Sequence, residues 1–195
     1  MAADREAAAR AIEAFLRAIG RDPSADAELA GTGPRVADAF IDELCDGYAV
    51  DVPALLEKNL IDAGAEVSRE LVIVRDIAVS TMCPHHLLPA HGLAHVAFAP
   101  RDRMLGIGAV VSLVDAFAHR LTLQEVIGRE VARALTTALQ PSWAACRIVL
   151  SHACMTARGE RRHGALVETF ALEGSGDAGV AYAALGADPS AGVRS

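Results

Sequence analysis

Aromatic residues make up only 4% of this 195-residue chain, and lysine occurs once, at Lys58. So few rings exclude base stacking on aromatic platforms as a binding strategy. Positive charge is also short: the formal net charge is −7 and the sequence pI about 5.4. That is the wrong sign for a nucleic-acid binder, whose affinity rests on neutralising phosphates. No apolar run approaches the roughly 18 residues a membrane span needs. The first residues, MAADREAAARAIEAF, do not have the basic-then-apolar layout of a signal peptide. The expectation is a cytoplasmic protein with neither nucleic acid nor membrane as partner. Its four cysteines, Cys45, Cys83, Cys146 and Cys154, then read as thiols or metal ligands rather than as a disulfide framework.

Hydrophobic residues reach 52%, largely alanine and valine, which excludes global disorder and implies a core of small and branched aliphatics. Ile12, Phe15, Leu16 and Ile19 recur at helical spacing before Gly20, and Val36, Ala37, Phe40, Ile41 and Leu44 repeat the pattern after Pro34. A further short helix is expected over 52–60. From Glu70 the period changes. LVIVRDIAVS, residues 92–100 and residues 143–151 read as strands, with a short strand over 105–110 and a last one over 165–172. Helices are expected over 112–120 and 122–139. The fold class is α+β: a helical N-terminal arm over 1–66, an antiparallel sheet with helices on one face over 67–174, and a flexible tail over 175–195.

The chemistry concentrates in TMCPHHLLPAHGLAHVAFAP, residues 81–100, with a second group downstream in SHACMTARG. Cys83 and His86 sit i, i+3 in a tight loop. Alternation along the strand after Trp143 puts Cys146, Ile148, Leu150, His152 and Cys154 on one face, provided the strand stays regular. Thiolate and imidazole are zinc's preferred ligands, and Cys83, His86 and Cys154 leave a fourth tetrahedral position for water, the mark of a catalytic site. Two other readings stand beside it. The cysteines can be small buried hydrophobes with the histidines exposed. Alternatively, His85 or His152 closes the site as a fourth ligand in a non-catalytic, zinc-stabilised binding protein.

CPHHLLPAHGLAHVAFAP, then LVDAFAHRLTLQE, then HACMTARG resemble, in order, the signature stretches of the GTP cyclohydrolase I family, over roughly residues 30–172. The resemblance implies a tunnelling-type fold and a Zn2+-dependent hydrolase that attacks C8 of a guanine-type purine and releases it as formate. In the family, ribose rearrangement then gives 7,8-dihydroneopterin triphosphate. It implies Cys83, His86 and Cys154 as zinc ligands, His85 and His152 as catalytic histidines, and Gln124 and Glu125 on the guanine edge. Glu125 also fits a helix capping box with Thr122. The resemblance further implies a homo-oligomer, commonly a decameric ring. A nitrile reductase of the same fold family, which uses a cysteine nucleophile and NADPH, is disfavoured by the His-His pair after Cys83.

The chain departs from the family pattern where the triphosphate binds. In place of Ser-Lys and a later Arg stand Gly108, Ala109 and Ser112, and Pro84 replaces a glutamate. Arg35 and Arg158 still match basic substrate-binding positions, and Arg161 and Arg162 read as a solvated turn or as a rebuilt anion site. Charge-assisted contacts contribute about 1.5–3 kcal/mol each. The expectation is therefore a substrate with fewer phosphates or none, the alternative being GTP itself.

Overall fold

The computed structural model describes residues 3–62, 70–159 and 161–186, and these divide into two compact units at Asp46/Gly47. The expected arm boundary at 66/67 falls outside the described residues, as do residues 187–195 of the expected tail.

The first unit is a pair of helices, α1 (Arg5–Ala18) and α2 (Thr32–Ala39), the second running on into a π-helical turn, Phe40–Leu44. Asp4 caps α1 by accepting from the Ala7 N–H at 2.9 Å. Arg5 ties the pair together, donating to the carboxylates of Asp38 and Asp42. Both Arg5–Asp ion pairs are solvent-exposed, so each adds little to stability.

The second unit begins earlier than the pattern implied. Helix α3 (Val52–Lys58) buries Leu56 in the same core as the later helices, and residues 60–62 form a strand, β1 (Leu60–Asp62), rather than continuing the arm. Strands β2 (Val72–Met82) and β3 (Pro89–Phe98) follow, then β4 (Arg103–Leu105), which pairs with β1. Next come α4 (Ile107–Ala118), α5 (Gln124–Leu139), β5 (Trp143–His152), α6 (Ala153–Thr156), β6 (Val167–Gly174) and α7 (Ala178–Ala184). The main sheet is antiparallel throughout, in the order β2-β3-β5-β6.

The strand expected over 105–110 is largely helix. Ala109, Val110, Leu113 and Val114 recur at helical spacing and are all buried. Burial of each such leucine or valine stabilises the fold by roughly 1.5–3 kcal/mol. Strand β2 carries a bulge between Val74 and Ile77, where Asp76 adopts φ 56°. The bulge moves the inward set from Val72 and Val74 to Ile77 and Val79.

Helices α3, α4 and α5 cover one face of the sheet over a core that includes Val96, Phe98, Ile127, Val131, Cys146 and Ile148. Part of the other face is covered by α7, within the segment expected to be a flexible tail. Asp177 caps this helix, Ala181 and Leu185 are fully buried against Ala97, Trp143 and Ala145, and Tyr182 stacks on Phe170. Arg147 on β5 holds its end by donating to the Leu185 carbonyl, and pairs with Glu168 on β6 at 2.7 Å.

Gly92 shows why GLAHV needs its glycine. A Cβ there would lie 2.1 Å from the Val149 carbonyl oxygen and 3.0 Å from the Leu150 Cα, both backbone atoms of the neighbouring strand. Gly92→Ala must push β3 from β5, and overpacking of this kind costs about 1–3 kcal/mol. Thermal unfolding of the variant is expected at a clearly lower temperature than wild type; an unchanged Tm would mean the strands separate freely.

Candidate metal centre and active site

Antiparallel register brings the two halves of the chemistry to one end of the sheet. Met82 pairs with Pro89, and Ala90 with His152, so the β2–β3 loop and the end of β5 are neighbours. The loop closes on itself: the Cys83 N–H donates to Leu88 O at 3.0 Å and the Leu87 N–H to Cys83 O at 2.9 Å. Strand β5 ends at His152, and Cys154 lies on the short helix α6 rather than on a continuing strand. The helical turn still directs its thiol to the loop.

The ligand atoms of Cys83, His86 and Cys154 all lie within 4.8 Å of one another, and Cys83 Sγ is 3.8 Å from His86 Nδ1. Ordinary Zn–S and Zn–N lengths put the S···N edge of a tetrahedron at about 3.6 Å, so the set is close to the size a zinc ion needs. Two sulfurs and one imidazole also suit zinc in kind. Burial, and next the neighbouring Cys83, push the Cys154 thiol up from its ordinary pKa. A bound cation reverses that logic by stabilising thiolates. The residues present fit the metal.

Beside these ligands lies a cavity of about 220 Å³ lined by His85, Gln124, Glu125 and His152 together with Cys83 and Cys154. A larger one, about 430 Å³, lies between α3 and α5, with Arg103, Arg133, Glu57 and Glu130 among its lining residues. The smaller cavity is the candidate site because two of the three candidate ligands, Cys83 and Cys154, line it together with His85 and His152. His85 is exposed, its ring edge-on to His86 at 6.3 Å. His152 is partly buried, and loss of solvent lowers its pKa, with Glu125 pulling the other way.

The connection from α4 to α5 is held at the site by an isolated bridge between Met82 and Leu121 and by the Thr81 hydroxyl, which donates to Ala118 O at 2.6 Å. Helix α5 then starts at Gln124. The cap position is Leu123 and makes no side-chain cap bond, so Thr122 and Glu125 are not in capping-box register. Glu125 is exposed at the cavity. Gln124 is 3% exposed, and its amide bonds within the protein: the nitrogen to Ile148 O, Val167 O and Thr169 Oγ1, the oxygen to His152 Nε2 at 2.8 Å. No sequence spacing marks Thr169 as the anchor of this amide, because the contact exists only through the α5–β6 packing.

Of the basic positions, Arg158 is exposed just after α6, with its charge favouring the Cys154 thiolate. Arg35 lies in the first unit, on α2, where it donates to Thr32 Oγ1 at 3.3 Å. Gly108, Ala109 and Ser112 occupy the start of α4. Ala109 is buried, and the Ser112 hydroxyl donates to Gly108 O at 3.1 Å. Arg161 and Arg162 belong to a turn in which the Arg162 N–H donates to Met155 O.

If Cys83, His86 and Cys154 bind zinc, the protein should purify with roughly one ion per chain. Cys154→Ser should lose it while retaining the fold, as read by elemental analysis and circular dichroism. Undiminished zinc in that variant would place the metal elsewhere.

The GTP cyclohydrolase I family model matches residues 8–182. GTP cyclohydrolase 1 of Allorhizobium ampelinum is 38% identical over 170 residues, covering 87% of this chain and 83% of the relative. The proteins of that name from Caldanaerobacter subterraneus and Thermoanaerobacter pseudethanolicus are 38% and 39% identical over 173 residues, covering 88% of each chain. Among solved structures, an archaeosine synthase QueF-Like in the apo form matches at 20% identity and TM-score 0.47, over 56% of this chain and 98% of that one. Matched almost from end to end, the chain belongs to the GTP cyclohydrolase I family, hydrolases acting on cyclic-amidine C–N bonds.

Proposed function

We propose that this protein opens the imidazole ring of a guanine-type purine by zinc-dependent hydrolysis at C8. The observation that supports this most is the convergence of Cys83, His86 and Cys154 next to a cavity that two further histidines line. Those three residues would hold the metal, and zinc bound there supplies Lewis acidity that makes water a competent nucleophile near neutral pH. Burial lowers the pKa of His152 and so favours the neutral ring, which can accept a proton from the attacking water. His85, which also lines the cavity, is suited to protonate the departing ring nitrogen. Cleavage of both C8–N bonds by two waters releases C8 as formate. The Glu125 carboxylate, exposed at the cavity, is suited to accept hydrogen bonds from guanine's N1–H and amino group. Arg158 and Arg35 are the candidate anion-binding residues.

Two substrates are in contention. The relatives' name, GTP cyclohydrolase 1, supports GTP, and the family resemblance then implies a pterin triphosphate product. The residues at the start of α4 support a purine with fewer phosphates or none, because Gly108 and Ala109 offer no side-chain donor and the Ser112 hydroxyl already bonds to the backbone. The zinc-loaded protein is to be incubated with GTP, GMP, guanosine and guanine, with formate and organic products followed by mass spectrometry. The proposal expects formate from at least one. Rapid GTP turnover rejects the phosphate-poor reading, and turnover of a phosphate-poor purine with GTP inert establishes it. No formate from any would favour a non-catalytic zinc protein, whereas NADPH oxidation would indicate a reductase.

The proposal includes a homo-oligomer, with the decameric ring taken from the family resemblance. In support, β2 and β6 each leave one edge without a strand partner among the described residues. Long open edges are normally covered or paired. Light scattering should give a mass several times 20.4 kDa; a single 20.4 kDa species at micromolar concentration would reject the assembly.

A further inference from the structure

Gln124 lines the cavity, yet its amide is almost wholly buried and its hydrogen bonds run to the protein's own groups. Its nitrogen lies 2.9 Å from Ile148 O, 2.9 Å from Val167 O and 3.2 Å from Thr169 Oγ1. Carbonyls only accept, so these contacts fix which end of the amide is nitrogen. The oxygen must then be the atom facing His152 Nε2 at 2.8 Å. An amide oxygen also only accepts, so the His152 ring nitrogen must be the donor. The neutral ring therefore carries its proton on Nε2, leaving Nδ1, which has no hydrogen-bond partner among the described residues, as its free base. Turning the amide toward a purine would strip the Ile148 and Val167 carbonyls of a donor at a position only 3% exposed.

We infer that Gln124 is a positioning residue, holding His152 in its Nε2–H tautomer with Nδ1 as the proton-accepting atom, and that it does not read the purine edge. This rests on the hydrolytic reading above for its effect on rate, but not for the tautomer itself. Helix α5 presents the amide from its first residue, and β5 and β6 supply the acceptors that orient it. The base-recognition role is left to Glu125 alone.

Two variants of the zinc-loaded protein test this. Gln124→Met removes both ends of the amide, whereas Gln124→Glu keeps an oxygen that can accept from His152. With whichever purine the wild type hydrolyses, Gln124→Met should lower kcat by about one to two orders of magnitude, a share of what general acid–base catalysis supplies. KM and zinc content should stay close to wild type, and Gln124→Glu should recover part of the rate. A raised KM with kcat retained would overturn the inference, since that is the signature of a lost substrate contact.

Solid-state 15N spectra of histidine-labelled protein give a readout independent of turnover, with His152→Gln identifying the resonances. Wild type should show the His152 proton on Nε2, and Gln124→Met a mixture of tautomers. A wild-type proton on Nδ1 overturns the inference whether or not any purine is hydrolysed. If Gln124→Met loses its zinc or its fold, Thr169→Val, which removes one anchor, should show a smaller kcat loss at unchanged KM; an altered KM there would count against it.

Discussion

The antiparallel pairing of β3 with β5 is the constraint on which the site depends. Ala90 opposite His152 brings the loop after β2 against the start of α6, and with it Cys83 and His86 against Cys154. A slip of one residue would invert every side chain of β5, moving Cys146, Ile148 and Leu150 out of the core and His152 away from the cavity. Register is held by that buried set on one face and by Gly92, which lets the two backbones approach closely. Metal geometry and core packing are therefore one problem, solved once.

The same packing sets the chemistry of the second histidine. Helix α5 lies on β5 and β6, and its first residue places an amide among two strand carbonyls and a threonine hydroxyl. Partial burial favours the neutral form of His152, and the amide oxygen accepts from its Nε2. Neither effect belongs to the histidine alone. His85, by contrast, sits exposed on a self-closed loop, so the two histidines enter the cavity from environments of different polarity.

Helix α4 illustrates how one element serves core and site unequally. Its inward positions, Val110, Leu113 and Val114, are fully buried and support the sheet from behind. Its first turn, where the family pattern places phosphate-binding side chains, here holds Gly108 and Ala109, with the Ser112 hydroxyl turned back to the helix. Nothing in the core requires Gly108 to lack a side chain, since a Cβ there would meet nothing within 4 Å. The bare position at Gly108 is thus not imposed by packing.

The amino-acid sequence by itself determined the family, and it marked Cys83, His86 and Cys154 as candidate ligands and His152 as their neighbour, through identity and local spacing. It also determined most helices and strands, whose apolar periods are local. Tertiary structure decided the rest. The segment at 105–110, expected as strand, became largely helix because its inward face had a sheet to cover, and the alanine-rich segment at 178–184 became a helix because Trp143 and Phe170 offered it a surface. Whether Glu125 capped a helix turned on where α5 began. The role of Gln124 turned on β6, more than forty residues away, through Thr169. Such contacts leave no local mark in a sequence, since a hydrogen-bond partner is chosen by distance in space and not along the chain.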